Sequence, residues 1–81
     1  MGRTKLNAPS NLIANGLDID SIQLAWVSNS DELENKFQIE RSEYPNRRFR
    51  RVAKVSKGTL SYIDNGLSSD ITYYYRIKAL A

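Results

Sequence analysis

The sequence contains neither cysteine nor histidine. Without cysteine the chain can form no disulfide framework and no thiolate metal site. Without histidine it lacks the commonest general base and the commonest metal ligand in proteins. It also has no glycine-rich phosphate loop, and the acids of the polar loop 28–35 lack the spacing of a calcium loop. We therefore predict that the chain is not an enzyme and that it binds no metal or cofactor.

Long apolar runs are missing as well. No stretch approaches the roughly 20 apolar residues of a membrane helix, so we predict no membrane association. Residues 1–6 lack the apolar segment of a signal peptide, and we interpret residues 1–8 as an N-terminal tail or linker scar. The chain has 81 residues, of which 41% are hydrophobic and 26% charged. That composition predicts one folded domain over residues 9–81.

The apolar residues also show no helical spacing. No segment places them at i, i+3, i+4 and i+7, so we predict no helix. Alternation with a period of two recurs instead, most clearly in residues 21–27, 36–42 and 73–79, and this spacing is typical of half-buried strands. Asn15–Gly16 and Pro45 provide turn signals, and the first of these predicts the end of the first strand. Six short strands of this kind predict an all-β sandwich.

Five landmarks carry a resemblance to a known family. The chain resembles a fibronectin type III domain from Pro9 to Ala81, and residues 66–79 are similar to modules of secreted bacterial polysaccharide-degrading enzymes. The landmarks are Pro9 with Leu12, Trp26, Phe37-x-Ile39-x-Arg41, Tyr62-x-Asp64-x-x-Leu67 and Tyr73-x-Tyr75-x-Ile77-x-Ala79.

The resemblance implies an immunoglobulin-like antiparallel β-sandwich in which strands one, two and five face strands three, four and six. It also implies a tyrosine corner, in which the Tyr73 hydroxyl bonds to the backbone near residues 67–69. The expected core consists of Leu12, Ile22, Leu24, Trp26, Phe37, Ile39, Val52, Tyr62, Leu67, Tyr73, Tyr75 and Ile77.

The resemblance further implies a function and a departure from the family. A domain of this family usually has seven strands, whereas the chain supplies six. The sixth strand would then have an open edge, which another copy or a partner could fill by strand addition. The expected function is a non-catalytic, extracellular spacer or protein-interaction module that self-associates or binds a protein through this edge.

A basic run provides the main alternative. Six of the 12 Lys and Arg residues fall between positions 47 and 57, where no acid occurs. Such a run could bind a polyanion, either a sulfated glycan or nucleic acid, although alternation spreads its arginines over both faces of a strand. Because a Gly/Asp/Asn-rich turn is usual here in bacterial relatives, an engineered binding scaffold is a further alternative. The candidate binding residues are Arg47, Arg48, Arg50, Arg51, Lys54, Tyr74, Arg76 and Lys78.

Overall fold

The computed structural model describes residues 9–28 and 36–80, and in these ranges it contains six strands and no helix. The strands form two antiparallel sheets with the orders β1-β2-β5 and β4-β3-β6. The all-β sandwich and the grouping of its strands are therefore confirmed, whereas the tail 1–8 and most of the loop 28–35 lie outside the described residues. The strands are β1 Ser10–Asp18, β2 Ser21–Val27, β3 Lys36–Ser42, β4 Arg50–Ser56, β5 Ser61–Asp64 and β6 Tyr74–Leu80.

The core lies between the inner faces of the two sheets. Leu24 on β2 and Phe37 on β3 are fully buried, and the rings of Trp26 and Phe37 meet edge to face with their centroids 5.7 Å apart. Both rings belong to the expected core, and the alternation of β2 and β3 places them on facing inner surfaces of the two sheets. Leu67 and Tyr73 are only half-buried and lie outside the central cluster. That cluster comprises Leu24, Trp26, Phe37, Ile39 and Ile77, with Leu12, Ile22, Val52, Ala53, Val55, Tyr62, Tyr75 and Ala79 packed around it.

The first strand ends later than the sequence predicted. Gly16 pairs with Ile22 within the β1–β2 ladder, so Asn15–Gly16 is part of the strand and the predicted turn there is wrong. The reversal lies at residues 19–20, where the backbone N–H of Ile19 donates to Asp18 Oδ1 at 2.8 Å. The Asp18 carboxylate thus supplies the turn chemistry that we expected from asparagine and glycine.

A bulge in β4 decides which basic side chains share a face. Ile39 is paired with Ala53 and Glu40 with Arg51, so Val52 is an extra residue on β4. Strict alternation would place Arg51 on the same face as Ala53. The bulge instead places Arg51 on the outer face, next to Lys54.

The corner before β6 is held by Tyr73. The backbone N–H of Ser68 donates to the Tyr73 hydroxyl at 2.9 Å, which confirms the predicted tyrosine corner. The N–H of Leu67 donates to the carbonyl of Asp20 at 2.9 Å and so fixes the corner to the β1–β2 turn.

A buried carboxylate connects the two sheets. Arg41 Nη1 on β3 donates to Asp64 on β5, at 3.0 Å from Oδ1 and 2.7 Å from Oδ2. The Tyr75 hydroxyl on β6 donates to the same Oδ2 at 2.7 Å. Burial raises the pKa of Tyr75, and the bond to Asp64 raises it further. Burial alone would lower the pKa of Arg41, but its pairing with Asp64 outweighs this effect and the pKa is raised.

Candidate anion-binding surfaces

The outer face of the β4-β3-β6 sheet gathers basic side chains from all three strands. Glu40 is flanked by Arg51 and Arg76, and in the next row Gln38 is flanked by Lys54 and Lys78. The flanking residues of a row are two strand spacings apart, or about 10 Å. Lys36 begins the third row, and we call this surface the basic face, consisting of Lys36, Glu40, Arg51, Lys54, Arg76 and Lys78.

Glu40 organises the basic face. It is 5% exposed although it lies on an outer face, because the side chains around it cover it. It is bonded to Arg76 Nε, accepts from Gln38 Nε2 at 2.7 Å, and lies 3.3 Å from Lys78 Nζ. Burial alone would raise the pKa of Glu40, but the bonds from Arg76, Gln38 and Lys78 outweigh it and the pKa lies below its usual range.

The cations of the basic face differ in how their side chains are held. The Arg76 guanidinium also stacks on the Phe49 ring at 4.4 Å from its centroid, which fixes its orientation further. Arg51 and Lys54, by contrast, form no ion pair with any residue in the described ranges. Tyr74, which pairs with Ser42 at the end of this face, is partly exposed.

A second basic group lies in the loop between β3 and β4. The guanidinium groups of Arg47 and Arg48 lie 4.8 Å and 5.2 Å from the centroid of the Tyr44 ring. The buried Ser42 hydroxyl donates to the carbonyl of Arg47 at 2.6 Å and accepts from the Tyr44 N–H at 2.9 Å. The loop is thus pinned at its base by Ser42.

Arg50 belongs to a separate surface. It is paired with Arg41, whose side chain points to the inner side of the sheet, so Arg50 lies on the opposite side of β4 from Arg51. It borders an open cleft of about 420 Å³ at this end of the sandwich. The cleft is lined by Arg41, Ser42, Glu43, Tyr44, Arg48, Arg50 and Val52.

The comparisons with known proteins agree with this architecture. No protein-family model matches the sequence, and no curated protein matches it at a significant level. Solved structures do match. A Fn3-like protein from Clostridium thermocellum superposes with a TM-score of 0.79 at 22% identity, over 94% of this chain and 77% of that one. The chain has the fibronectin type III fold.

Two further structures support the same assignment. A myokine structure superposes on this chain with a TM-score of 0.77 and 25% identity, over 95% of this chain and 82% of the other. The FN5 domain of Drosophila Lar superposes with a TM-score of 0.72 and 21% identity, over 95% and 81% of the two chains. The shared property is the fold, which does not by itself specify a ligand.

The structure divides the binding residues that the sequence predicted between two surfaces. Arg51, Lys54, Arg76 and Lys78 share the basic face, with Tyr74 at its end. Arg47, Arg48 and Arg50 lie instead in or beside the β3–β4 loop and its cleft.

Sequence reasoning missed two members of the basic face. Lys36 is far from the basic run in sequence, and Glu40 is an acid, so neither belongs to a run of positive charge. Their outward positions in the alternation of β3 were the available signal. That binding itself takes place at these residues stays a prediction.

Residues 9–28 and 36–80 contain no group of three or more acids that could hold a metal ion. Nor does this part of the chain include a helix that is long and apolar enough to cross a membrane.

Proposed function

We propose that this chain is a non-catalytic interaction module of an extracellular protein and that it binds an anionic polymer through the basic face. The observation that carries the proposal is that five cations and only one acid of the described residues share a single sheet face. The whole chain has a net charge of only +3, whereas the basic face alone combines five cations with a single acid. A concentrated positive surface attracts polyanions and speeds their association.

The opposite outer face supports the same function by contrast. The residues of β1, β2 and β5 that point away from the core carry no positive charge, among them Ile13, Asn15, Gln23, Ala25 and Ile63. Among the described residues, the outer faces of the two sheets therefore differ in charge. A polyanion would be oriented toward the β4-β3-β6 sheet because no competing positive surface lies on the other sheet.

The basic face is also better suited to contact the charged backbone of an anionic polymer than to recognise a ligand in a buried pocket. Its cations stand on a strand ladder, and Glu40 and Phe49 hold Arg76 in place before any ligand arrives. Such preorganisation lowers the side-chain entropy lost on binding. Arg51 and Lys54 have no ion pair to break among the described residues, so their charges are available to an anionic partner.

The buried acids support a non-catalytic role. Glu40 and Asp64 both accept hydrogen bonds from cations, as expected for acids that stabilise the fold. A general acid or base instead requires contact with a substrate and a pKa near the working pH. The extracellular location is supported by the resemblance to fibronectin type III modules.

The test is salt-dependent retention on immobilised heparin, with immobilised single-stranded DNA as the second arm. The variant Arg51→Ala/Lys54→Ala should elute at clearly lower salt than the wild type, because two phosphate or sulfate contacts are lost. The matched control Arg47→Ala/Lys57→Ala removes the same charge away from the basic face. It should elute at a higher salt concentration than Arg51→Ala/Lys54→Ala, closer to that of the wild type. Equal losses for the two variants would show that only net charge matters and would refute a specific face.

A second candidate function is strand addition at the outer edge of β6. Residues Tyr74–Leu80 pair with β3 along the whole strand, and no strand within residues 9–28 and 36–80 pairs with the other edge. An unpaired edge next to an apolar inner face is a template for a strand of a second copy or of another protein.

This candidate is tested by the mass in solution, measured by light scattering over a range of protein concentrations. A dimer whose β6 amides are protected from hydrogen exchange would support strand addition between copies. A monomer at all concentrations would exclude self-association. If a protein partner still bound in the presence of a backbone N-methylated peptide directed at the β6 edge, addition of that partner's strand would be excluded.

A further inference from the structure

We propose that the cleft at the end of β3 and β4 is a separate site for a tetrahedral oxyanion, either a phosphate or a sulfate group. The cleft measures about 420 Å³, and Arg41, Arg48 and Arg50 all line it. Arg50 and its neighbour Arg51 point to opposite sides of β4, so this site does not belong to the basic face.

The charges of the cleft favour an anion. Arg41 is already paired with Asp64, at 2.7 Å, which leaves its charge compensated at the base of the cleft. Arg48 and Arg50 have no carboxylate partner in the ranges that the structure describes. Glu43 is the single acid in the lining, so the guanidinium groups outnumber it.

The loop is built so that Arg48 is held in position. Its φ of 61° is in the left-handed region, which a non-glycine residue adopts only at a cost in energy. The Arg48 guanidinium lies over the Tyr44 ring, and Ser42 bonds to the loop on both sides of Pro45. Backbone strain that is held by its surroundings is concentrated at sites that hold ligands.

The geometry favours a tetrahedral anion. Arg48 comes from the loop and Arg50 from the strand, so the two guanidinium groups can approach different oxygens of one ligand. A phosphate or sulfate group has enough oxygens for both, whereas one arginine already satisfies a carboxylate in a bidentate pair. The cleft has the volume of a small-molecule site, which leaves room for the alcohol part of an ester.

The experiment is a titration of the isotope-labelled chain with sodium sulfate and with sodium phosphate at constant ionic strength, followed by amide chemical shifts. Saturable shifts at residues 44, 48 and 50 are expected, and the anion that binds more tightly identifies the kind of group. Arg48→Gly relieves the strained φ, so it should fold at least as well while it binds about tenfold more weakly.

Two controls make the result specific. Asn11→Gly changes a non-glycine residue on β1 that also has a positive φ, and this variant should bind the anion like the wild type. Arg51→Ala/Lys54→Ala should also retain oxyanion binding, which separates this site from the basic face. Shifts that chloride reproduces, or an Arg48→Gly chain that binds both anions as tightly as the wild type, would overturn the proposal.

Discussion

Arg41 on one sheet and Asp64 on the other form an ion pair across the end of the sandwich, with Nη1 2.7 Å from Oδ2. The Asp64 side chain is 6% exposed and the Arg41 side chain 31% exposed, so the pair is shielded from water more on the acid's side. Tyr75 donates a third bond to Asp64. A buried acid with this many donors joins the sheets and fixes the position of Arg41 at the cleft.

We expect Asp64→Asn to lower the free energy of unfolding by about 2–4 kcal/mol, because it leaves Arg41 without its counter-charge. Urea denaturation at neutral pH measures the change. Asp70→Asn, which alters an exposed acid, is the control and should change stability by less than about 0.5 kcal/mol. A loss for Asp64→Asn no larger than that of the control would contradict the structural role of the pair.

We expect Tyr73→Phe to lower stability by about 1 kcal/mol, because the backbone N–H of Ser68 loses its acceptor while the ring remains. Tyr74→Phe removes a hydroxyl from the neighbouring, more exposed tyrosine and should have little effect. Thermal denaturation of the two variants in parallel distinguishes them. If both variants unfolded at the same temperature, the corner bond would contribute nothing measurable.

The stability of the chain should fall in acid because of Glu40. Its pKa is lowered in the folded state, so its contribution is complete above the unfolded pKa of about 4.3. That contribution is lost as the pH falls through the lower folded pKa, since the folded state must then also bind the proton. We expect Glu40→Gln to be about 1–2 kcal/mol less stable than the wild type at neutral pH.

The measurement is the free energy of unfolding of both chains between pH 7 and pH 2.5. The difference between the two free energies should shrink toward acid pH. Glu43→Gln, which changes an exposed acid, should show the same change of stability with pH as the wild type. If the free energies of unfolding of the wild type and Glu40→Gln differed by the same amount at every pH, the charge of Glu40 would not contribute to stability.

Local alternation predicted most of the fold. The patterns around Trp26 and Phe37 identified strands whose apolar sides meet in the core, because burial of one face requires that spacing. The Tyr73 corner was implied by the resemblance to fibronectin type III domains, which rests in part on a short run of neighbouring residues. Features of this kind depend on residues close together in sequence, and a single sequence displays them directly.

The basic face could not be predicted in the same way. Its composition depends on the bulge at Val52, which exists only because β4 pairs with β3 in a particular register. The cover over Glu40 comes from Arg76 on a strand 36 residues away, and the partners Arg41 and Asp64 are 23 residues apart. Contacts between distant strands require the three-dimensional arrangement, which alternation alone does not supply.

The most direct test of the account is to map the bound polyanion on the chain. A heparin-derived oligosaccharide would be titrated into the isotope-labelled protein while amide shifts are followed on both sheets. Saturable shifts are expected along Lys36, Lys54, Arg76 and Lys78, and none at Ile13, Ala25 and Ile63. Shifts spread equally over both sheets, or confined to the β1-β2-β5 sheet, would contradict polyanion binding at the basic face.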